Sequence, residues 1–137
     1  MSQPARPLPA LNADNTPFWT GGARGELLIQ QCQKCNFHIH PPTGFCPKCE
    51  SRRTRYTPAS GRAEIVTFTI NHKAWFPNLK TPYVLALVAL AEQPDVRLAT
   101  NIEGCAPEDV FIGMSVQVFF EQAGDIWVPL FKPAPAP

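Results

Sequence analysis

Two Cys-x-x-Cys pairs stand ten residues apart in this chain: Cys32-Gln33-Lys34-Cys35 and Cys46-Pro47-Lys48-Cys49. Each pair puts two sulfurs on one tight turn, and two such turns can converge on a single ion with four thiolates at the corners of a tetrahedron. Soft thiolate in that geometry selects zinc, with iron as the second choice. The spacer contains Pro41, Pro42 and Gly44 and is long enough to fold back as a loop. A closed four-sulfur shell leaves no position for water, so the expected metal is structural and not catalytic. Two disulfides would need an oxidising compartment, and nothing at the N-terminus resembles a secretory signal. A redox Cys-x-x-Cys normally stands singly beside a βαβ unit. His38 and His40 lie in the spacer and are alternative ligands; with the shell already filled they read instead as loop residues at the surface or in a partner contact.

The bulk charge excludes some functions. Twelve Lys and Arg against eleven Asp and Glu leave the chain near neutral, whereas a general nucleic-acid binder needs a basic excess. The charge is unevenly spread. Lys34, Lys48, Arg52, Arg53 and Arg55 make the cysteine region basic, which reads either as a solvated face or as an attractor for phosphate or an acidic partner. From Arg62 to Lys132 there are eight acids and five bases. No apolar run reaches 18 residues, so no membrane span is expected, and a cytoplasmic location is.

The first 16 residues carry Pro4, Pro7 and Pro9 and read as an extended arm. Asn15 or Thr16 can cap a short helix over residues 17–24 that opens with Pro17. It presents Phe18 and Trp19, and Gly21, Gly22 and Gly25 weaken it and end it early. Residues 27–32 and 52–57 read as strands entering and leaving the two cysteine turns. Ser60-Gly61 is a turn and the expected seam to the next module. Beyond it the pattern is β. Residues 63–72 alternate, with Val66, Phe68 and Ile70 on one face and Ile65, Thr67 and Thr69 on the other. Residues 83–91 are apolar on both faces, so that strand is expected to be central or covered outside. Residues 96–102, 115–121 and 126–132 complete five strands, with a helical turn over 106–110 between the third and fourth. That order predicts a closed Greek-key barrel, the OB-fold. The Pro-Ala-Pro-Ala-Pro tail, 133–137, is not expected to pair in a sheet.

These residues resemble a family of zinc-ribbon plus OB-fold proteins long filed as a "domain of unknown function". The resemblance rests on an ordered series over residues 15–132. It begins with Pro17-Phe18-Trp19, the four cysteines and Ser60-Gly61-Arg62, followed by Thr67-Phe68-Thr69-Ile70-Asn71-His72 and Pro82-Tyr83-Val84. Thr100-Asn101-Ile102, Ile112-Gly113-Met114 and Pro129-Leu130-Phe131 close it. It implies a mainly β fold: an N-terminal arm and short helix over 1–26, a rubredoxin-like zinc ribbon over 27–59, a five-stranded OB-fold over 60–132 and a tail over 133–137. It implies structural zinc on Cys32, Cys35, Cys46 and Cys49. It also implies a non-catalytic accessory subunit of a thiolase-fold acyl-CoA enzyme, such as a retro-aldolase of steroid side chains, a thiolase or an acyltransferase. Such a subunit docks the catalytic partner and helps position the CoA thioester.

The residues themselves show no active site. His72 is expected at a strand end with no Ser-His-Asp or Glu pairing around it, so it reads as structural. Cys105 is the odd cysteine and reads as an inert thiol. The stretch from Lys73 through Trp75 and Phe76 to Lys80 lies between the first two barrel strands, where OB-folds bind ligands or partners. Trp75 and Phe76 can anchor an interface or meet a flat adenine ring, and Lys73 and Lys80 can meet phosphates. Phe18, Trp19, His72, Lys73, Trp75, Phe76 and Lys80 are therefore the candidate partner or CoA contacts. The competing readings are a single-stranded nucleic-acid binder, which the acidic barrel disfavours, and a free-standing CoA-ester enzyme.

Overall fold

The computed structural model describes residues 6–77 and 79–135. Residues 1–5 of the arm, Asn78 of the 73–80 loop and residues 136–137 of the tail lie outside the described residues. No helix among the described residues is long and apolar enough to cross a membrane.

Helix α1 (Thr16–Thr20) opens with proline in its first turn and passes into a 3-10 turn, Gly21–Arg24. The helix expected over 17–24 is thus split at its glycines. Close packing requires two of them: a Cβ on Gly21 would stand 2.5 Å from the Glu26 carbonyl oxygen, and one on Gly22 would stand 2.6 Å from Phe120 Cδ1 and Trp127 Cβ. Asn15 sits at the N-cap without a side-chain capping bond. Its Oδ1 accepts instead from the Asn12 N–H, and Asn12 Oδ1 accepts from the Asp14 and Asn15 N–H groups. The described part of the arm is tied down at two points. Arg6 pairs with Glu103 and Glu121, and the Tyr56 hydroxyl donates to the Asp14 carbonyl.

Three strands form the ribbon sheet in the order β2-β1-β3: β1 (Leu27–Cys32), β2 (His38–Ile39) and β3 (Thr54–Ala59). Strand β3 begins two residues later than expected because residues 51 and 53 serve the cysteine turns. The Ser51 and Arg53 carbonyls accept from the Cys46 and Gln33 N–H groups. Strand β2 is too short to leave a periodic trace in the sequence.

Five strands close the barrel: β4 (Arg62–Asn71), β5 (Tyr83–Leu90), β6 (Arg97–Ile102), β7 (Ser115–Ala123) and β8 (Ile126–Pro133). The order is β4-β5-β6-β8-β7. All pairs are antiparallel except β6–β8, where Ile102 faces Phe131. A 3-10 turn, Pro107–Asp109, links β6 to β7. This is the OB-fold anticipated above.

Three details differ from expectation. A bulge between Ile65 and Thr67 reverses the phase of β4. Ala63 and Ile65 are buried before it, and Phe68 and Ile70 pack on the core after it, while Thr67 and Thr69 are exposed. Ile65 therefore shares the interior with Phe68 and Ile70, not with the threonines; one extra residue flips every later side chain. Strand β5 is central, paired along its length with β4 and β6 as expected, but it buries one face only, and Leu85 is 43% exposed on the other. Finally, Pro133 pairs opposite Val116, and the Ala134 N–H donates to the Ser115 carbonyl. Proline lacks only the donor, so the first residues of the tail continue the ladder.

Ribbon and barrel share one core. Phe18 from α1 and Leu27 and Ile29 from β1 pack in the same buried cluster as Ile65, Val88 and Phe131. The junction is bonded as well. The Glu92 carboxylate accepts from the Ser60 N–H (2.9 Å) and hydroxyl (3.0 Å), and the Gly61 carbonyl accepts from Val118 (2.8 Å). Gly61 has φ +82°, and a Cβ there would stand 2.2 Å from Val118 Cγ1. Gly61→Ala is expected to cost roughly 2–4 kcal/mol, from left-handed backbone strain plus overpacking. Urea denaturation checks this; unchanged stability would mean the junction is slack.

Candidate metal centre and neighbouring surfaces

The two cysteine turns are conformational copies. In each, the residue after the second cysteine has positive φ (Asn36 at 63°, Glu50 at 66°) and its N–H returns to the carbonyl of the first cysteine at 3.0 and 2.8 Å. Asn tolerates that backbone; Glu rarely adopts it. The turns bring all four sulfurs within 4.8 Å of one another, with Cys32 to Cys49 at 3.5 Å and Cys35 to Cys46 at 3.7 Å. The close pairs cross from one turn to the other, so the cluster joins both ends of the spacer. Neither His38 nor His40 belongs to it.

Backbone donors prepare the sulfurs for negative charge. The Lys34 and Cys35 N–H groups point at Cys32 Sγ (3.3 and 3.4 Å), and Lys48 N–H at Cys46 Sγ (3.4 Å). The Cys35 N–H leads the effects that hold the Cys32 thiol down to about 6. Burial opposes ionisation of Cys46, but the Cys49 and Lys48 N–H groups prevail and lower it. At Cys49 the Ser51 N–H favours the thiolate, yet burial and the three neighbouring sulfurs outweigh it and push the thiol up to about 11. The cluster thus reaches full ionisation only when a cation replaces its protons, which is the condition for a thiolate metal site. All five cysteines are free of disulfides. The residues fit a tetrathiolate metal ion.

Buried Gln30 fixes the spacer. Its amide donates to the Thr43 carbonyl (2.8 Å) and Thr54 Oγ1 (3.0 Å), and its Oε1 accepts from the Thr43 N–H (3.0 Å). A glutamine in a strand gives no sequence signal of this role; only its burial reveals it. His40 lies mostly buried with its ring 5.1 Å from that of Phe18, and burial lowers its pKa to about 4.

The remaining candidate residues are dispersed. Phe18 is a core side chain, its ring edge-on to Trp19 at 4.9 Å, and Trp19 is half-buried. Both line a cleft of about 400 Å³ between α1, the spacer and the barrel wall. His72, Lys73, Trp75, Phe76 and Lys80 are all exposed on the β4–β5 loop. Lys73 Nζ lies 4.2 Å from the centre of the Trp75 ring, and Trp75 is 62% exposed. Trp75 and Phe76 are thus turned to solvent and not packed against the protein's own core. His72 makes no side-chain hydrogen bond among the described residues, so the tethered, structural histidine expected there is not seen. Cys105 packs at the core edge, and burial and Asp109 raise its thiol pKa, opposite to what a nucleophile needs.

Two outcomes follow. Cys46→Ser is expected to reduce bound metal from about one ion per chain to near none and to melt the ribbon, as read by elemental analysis and circular dichroism. Full folding of this variant without metal would show that the cluster is not what holds the ribbon. Because His40 resists protonation when folded, the unfolded chain takes up more protons between pH 6.5 and about 4, and stability falls as pH drops through that window. His40→Phe should flatten the fall in melting temperature between pH 7 and pH 5, with metal content followed in parallel. An identical slope in both proteins would contradict the assignment.

Comparison with known proteins agrees with this architecture. Residues 19–55 match the model "ChsH2, rubredoxin-like zinc ribbon domain", and residues 56–121 match "ChsH2, C-terminal OB-fold domain". A "probable enoyl-CoA hydratase alpha subunit" of Thermomonospora curvata is 36% identical over 130 residues, covering 94% of this chain; the chain spans 40% of that protein's length. A "DUF35 domain-containing scaffold protein" of Methanocaldococcus jannaschii is 35% identical over 99 residues, 70% of this chain and 68% of the relative. Among solved structures, a chain of the "Ltp2-ChsH2(DUF35) aldolase" superposes with a TM-score of 0.83 at 34% identity, over 92% of this chain and 98% of that one. This chain belongs to the DUF35 family, in the ChsH2-type form of a rubredoxin-like zinc ribbon followed by an OB-fold.

Proposed function

We propose that this chain is a non-catalytic accessory subunit of a thiolase-fold acyl-CoA enzyme, a retro-aldolase of the steroid side-chain type before a thiolase or an acyltransferase. It docks the catalytic subunit and helps to position the CoA thioester. The observation that carries this reading is the match over 98% of a chain belonging to a structure titled as an Ltp2–ChsH2 aldolase. The hydratase relative named as an alpha subunit and the relative named as a scaffold point the same way. The chemistry of the chain agrees: the four N–H-supported sulfurs suit a closed structural site, and Cys105 is poorly placed to attack a thioester. Zinc on Cys32, Cys35, Cys46 and Cys49 is the metal we assign, held in the reducing cytoplasm where thiolates stay available. Bound there, it supplies folding energy and no reaction step. The domain limits we adopt are 27–59 for the ribbon and 60–132 for the barrel.

The β4–β5 loop is the contact we assign to the CoA portion or to the catalytic subunit around it. Trp75 offers a large flat face, and Lys73, already over that face, and Lys80 offer cations for phosphates. Phe18 and Trp19 support the barrel wall from α1. The acidic balance of the barrel weighs against single-stranded nucleic acid, whose binding needs a basic groove.

Reconstitution tests the proposal. Acyl-CoA cleavage is expected from the catalytic subunit together with this chain, and not from this chain alone. Trp75→Ala should raise the apparent KM for the CoA substrate or the dissociation constant of the pair by roughly tenfold or more, at unchanged melting temperature. Turnover by the isolated chain, or a catalytic subunit indifferent to its presence, would refute the reading.

A further inference from the structure

The link between the 3-10 turn and β7 exposes two large apolar side chains that the core does not use. Phe111 is 58% and Ile112 66% exposed. They are not on a loose loop. The Gly113 N–H donates to the Ile65 carbonyl (2.8 Å), the Ile65 N–H donates to the Met114 carbonyl (3.0 Å), and the Met114 N–H closes the turn on the Phe111 carbonyl (3.1 Å). The turn is pinned to the bulged segment of β4, so its side chains are presented on a fixed frame. Side chains ordered in advance lose little freedom on binding.

Ile112 forms one wall of a groove of about 800 Å³ across the outer face of the barrel. Register explains the groove. Ser115, Glu64, Ala89 and Arg97 stand in one row across β7, β4, β5 and β6, because Glu64 pairs with both Ser115 and Ala89, and Ala89 with Arg97. The residues in the middle of the face are small: Ala89, then Ala91 at the end of β5. Arg62 and Arg97 stand at its edges, exposed, and neither has an acidic partner within salt-bridge distance among the described residues. The carboxylate of Glu92, which faces Arg62 electrostatically, is already held by Ser60. Glu64 is the one acid lining the groove, so the lining carries a net positive charge.

A fixed pair of apolar anchors beside a trough with small floor residues and two arginines outside any salt bridge among the described residues has the composition of a protein-docking surface. We infer that Phe111, Ile112, Arg62 and Arg97 seat the catalytic subunit, through a segment of that subunit bearing an apolar side chain and a carboxylate. Charge complementarity selects the occupant: the arginines call for an acid, and Phe111 and Ile112 for apolar cover. The inference rests on the accessory-subunit reading above and assigns it a surface on the barrel wall, separate from the β4–β5 loop.

The test measures affinity between the full-length chain and the catalytic subunit that co-purifies with it, by biolayer interferometry at two salt concentrations. Phe111→Ser/Ile112→Ser is expected to raise the dissociation constant at least ~30-fold, since exposed anchors at the centre of an interface dominate binding. Arg97→Glu should raise it about tenfold and flatten its dependence on salt. Both variants should melt within about 2 °C of the parent. Three results would overturn the inference: a complex indifferent to these changes, a large fall in melting temperature showing that the side chains serve the fold, or a self-association of the free chain that the serine variant abolishes, which would make a second copy the occupant. The first leaves the accessory-subunit reading standing. Failure of the parent chain to bind any catalytic subunit would overturn both.

Discussion

Four sulfurs crowded within 4.8 Å cannot all carry charge without a cation among them. The ribbon depends on that constraint, because it has almost nothing else inside it. Its own buried cluster consists of Cys32, Ile39 and Cys46, with the other cysteines and Phe37 at the edge. A ribbon confined to residues 27–59 with so small a core does not fold alone; the ion and the neighbouring barrel substitute for the missing apolar area. The backbone N–H groups of Lys34, Cys35 and Lys48 point at two of those sulfurs, Cys32 and Cys46, and favour their thiolates.

From this clip the structure passes to the barrel through a continuous interior. Leu27 and Ile29 on β1 belong to the same cluster as the barrel strands, and Glu92 grips Ser60 at the joint. Ribbon, helix and barrel are therefore joined through one packed interior, which suits the adaptor role proposed above, with its surfaces carried on a common frame. Exposed residues concentrate on the frame's loops. Trp75 and Phe76 stand on one and Phe111 and Ile112 on another, and each pair is far too large and apolar to be a mere consequence of chain entry and exit.

Much of this was legible in the sequence, for identifiable reasons. Cysteine spacing reports its geometry directly, since a Cys-x-x-Cys turn has few conformations. The barrel strands were visible because alternating apolar residues have a period of two and glycine or proline marks the turns. What could not be read was anything that depends on a single residue breaking the pattern. The bulge at Val66 has no sequence signature, so strict alternation puts Ile65 on the wrong face. Gln30 resembles any polar strand residue, although it is buried and fully bonded. Phe18, a large aromatic on a weak helix, needs a surface to pack on, its own core or a partner's, and only the packing of α1 on the barrel decides for the core. The run from Val110 to Met114 is apolar throughout, and without periodicity nothing distinguishes buried Val110 from exposed Ile112.

The central claim is that a metal-pinned frame carries docking surfaces for another polypeptide that holds the reacting atoms. Native mass spectrometry of the chain purified from its own cells measures this most directly. The account predicts a mass equal to this chain, a bound zinc ion and a larger second subunit. A stable, metal-free monomer would contradict it.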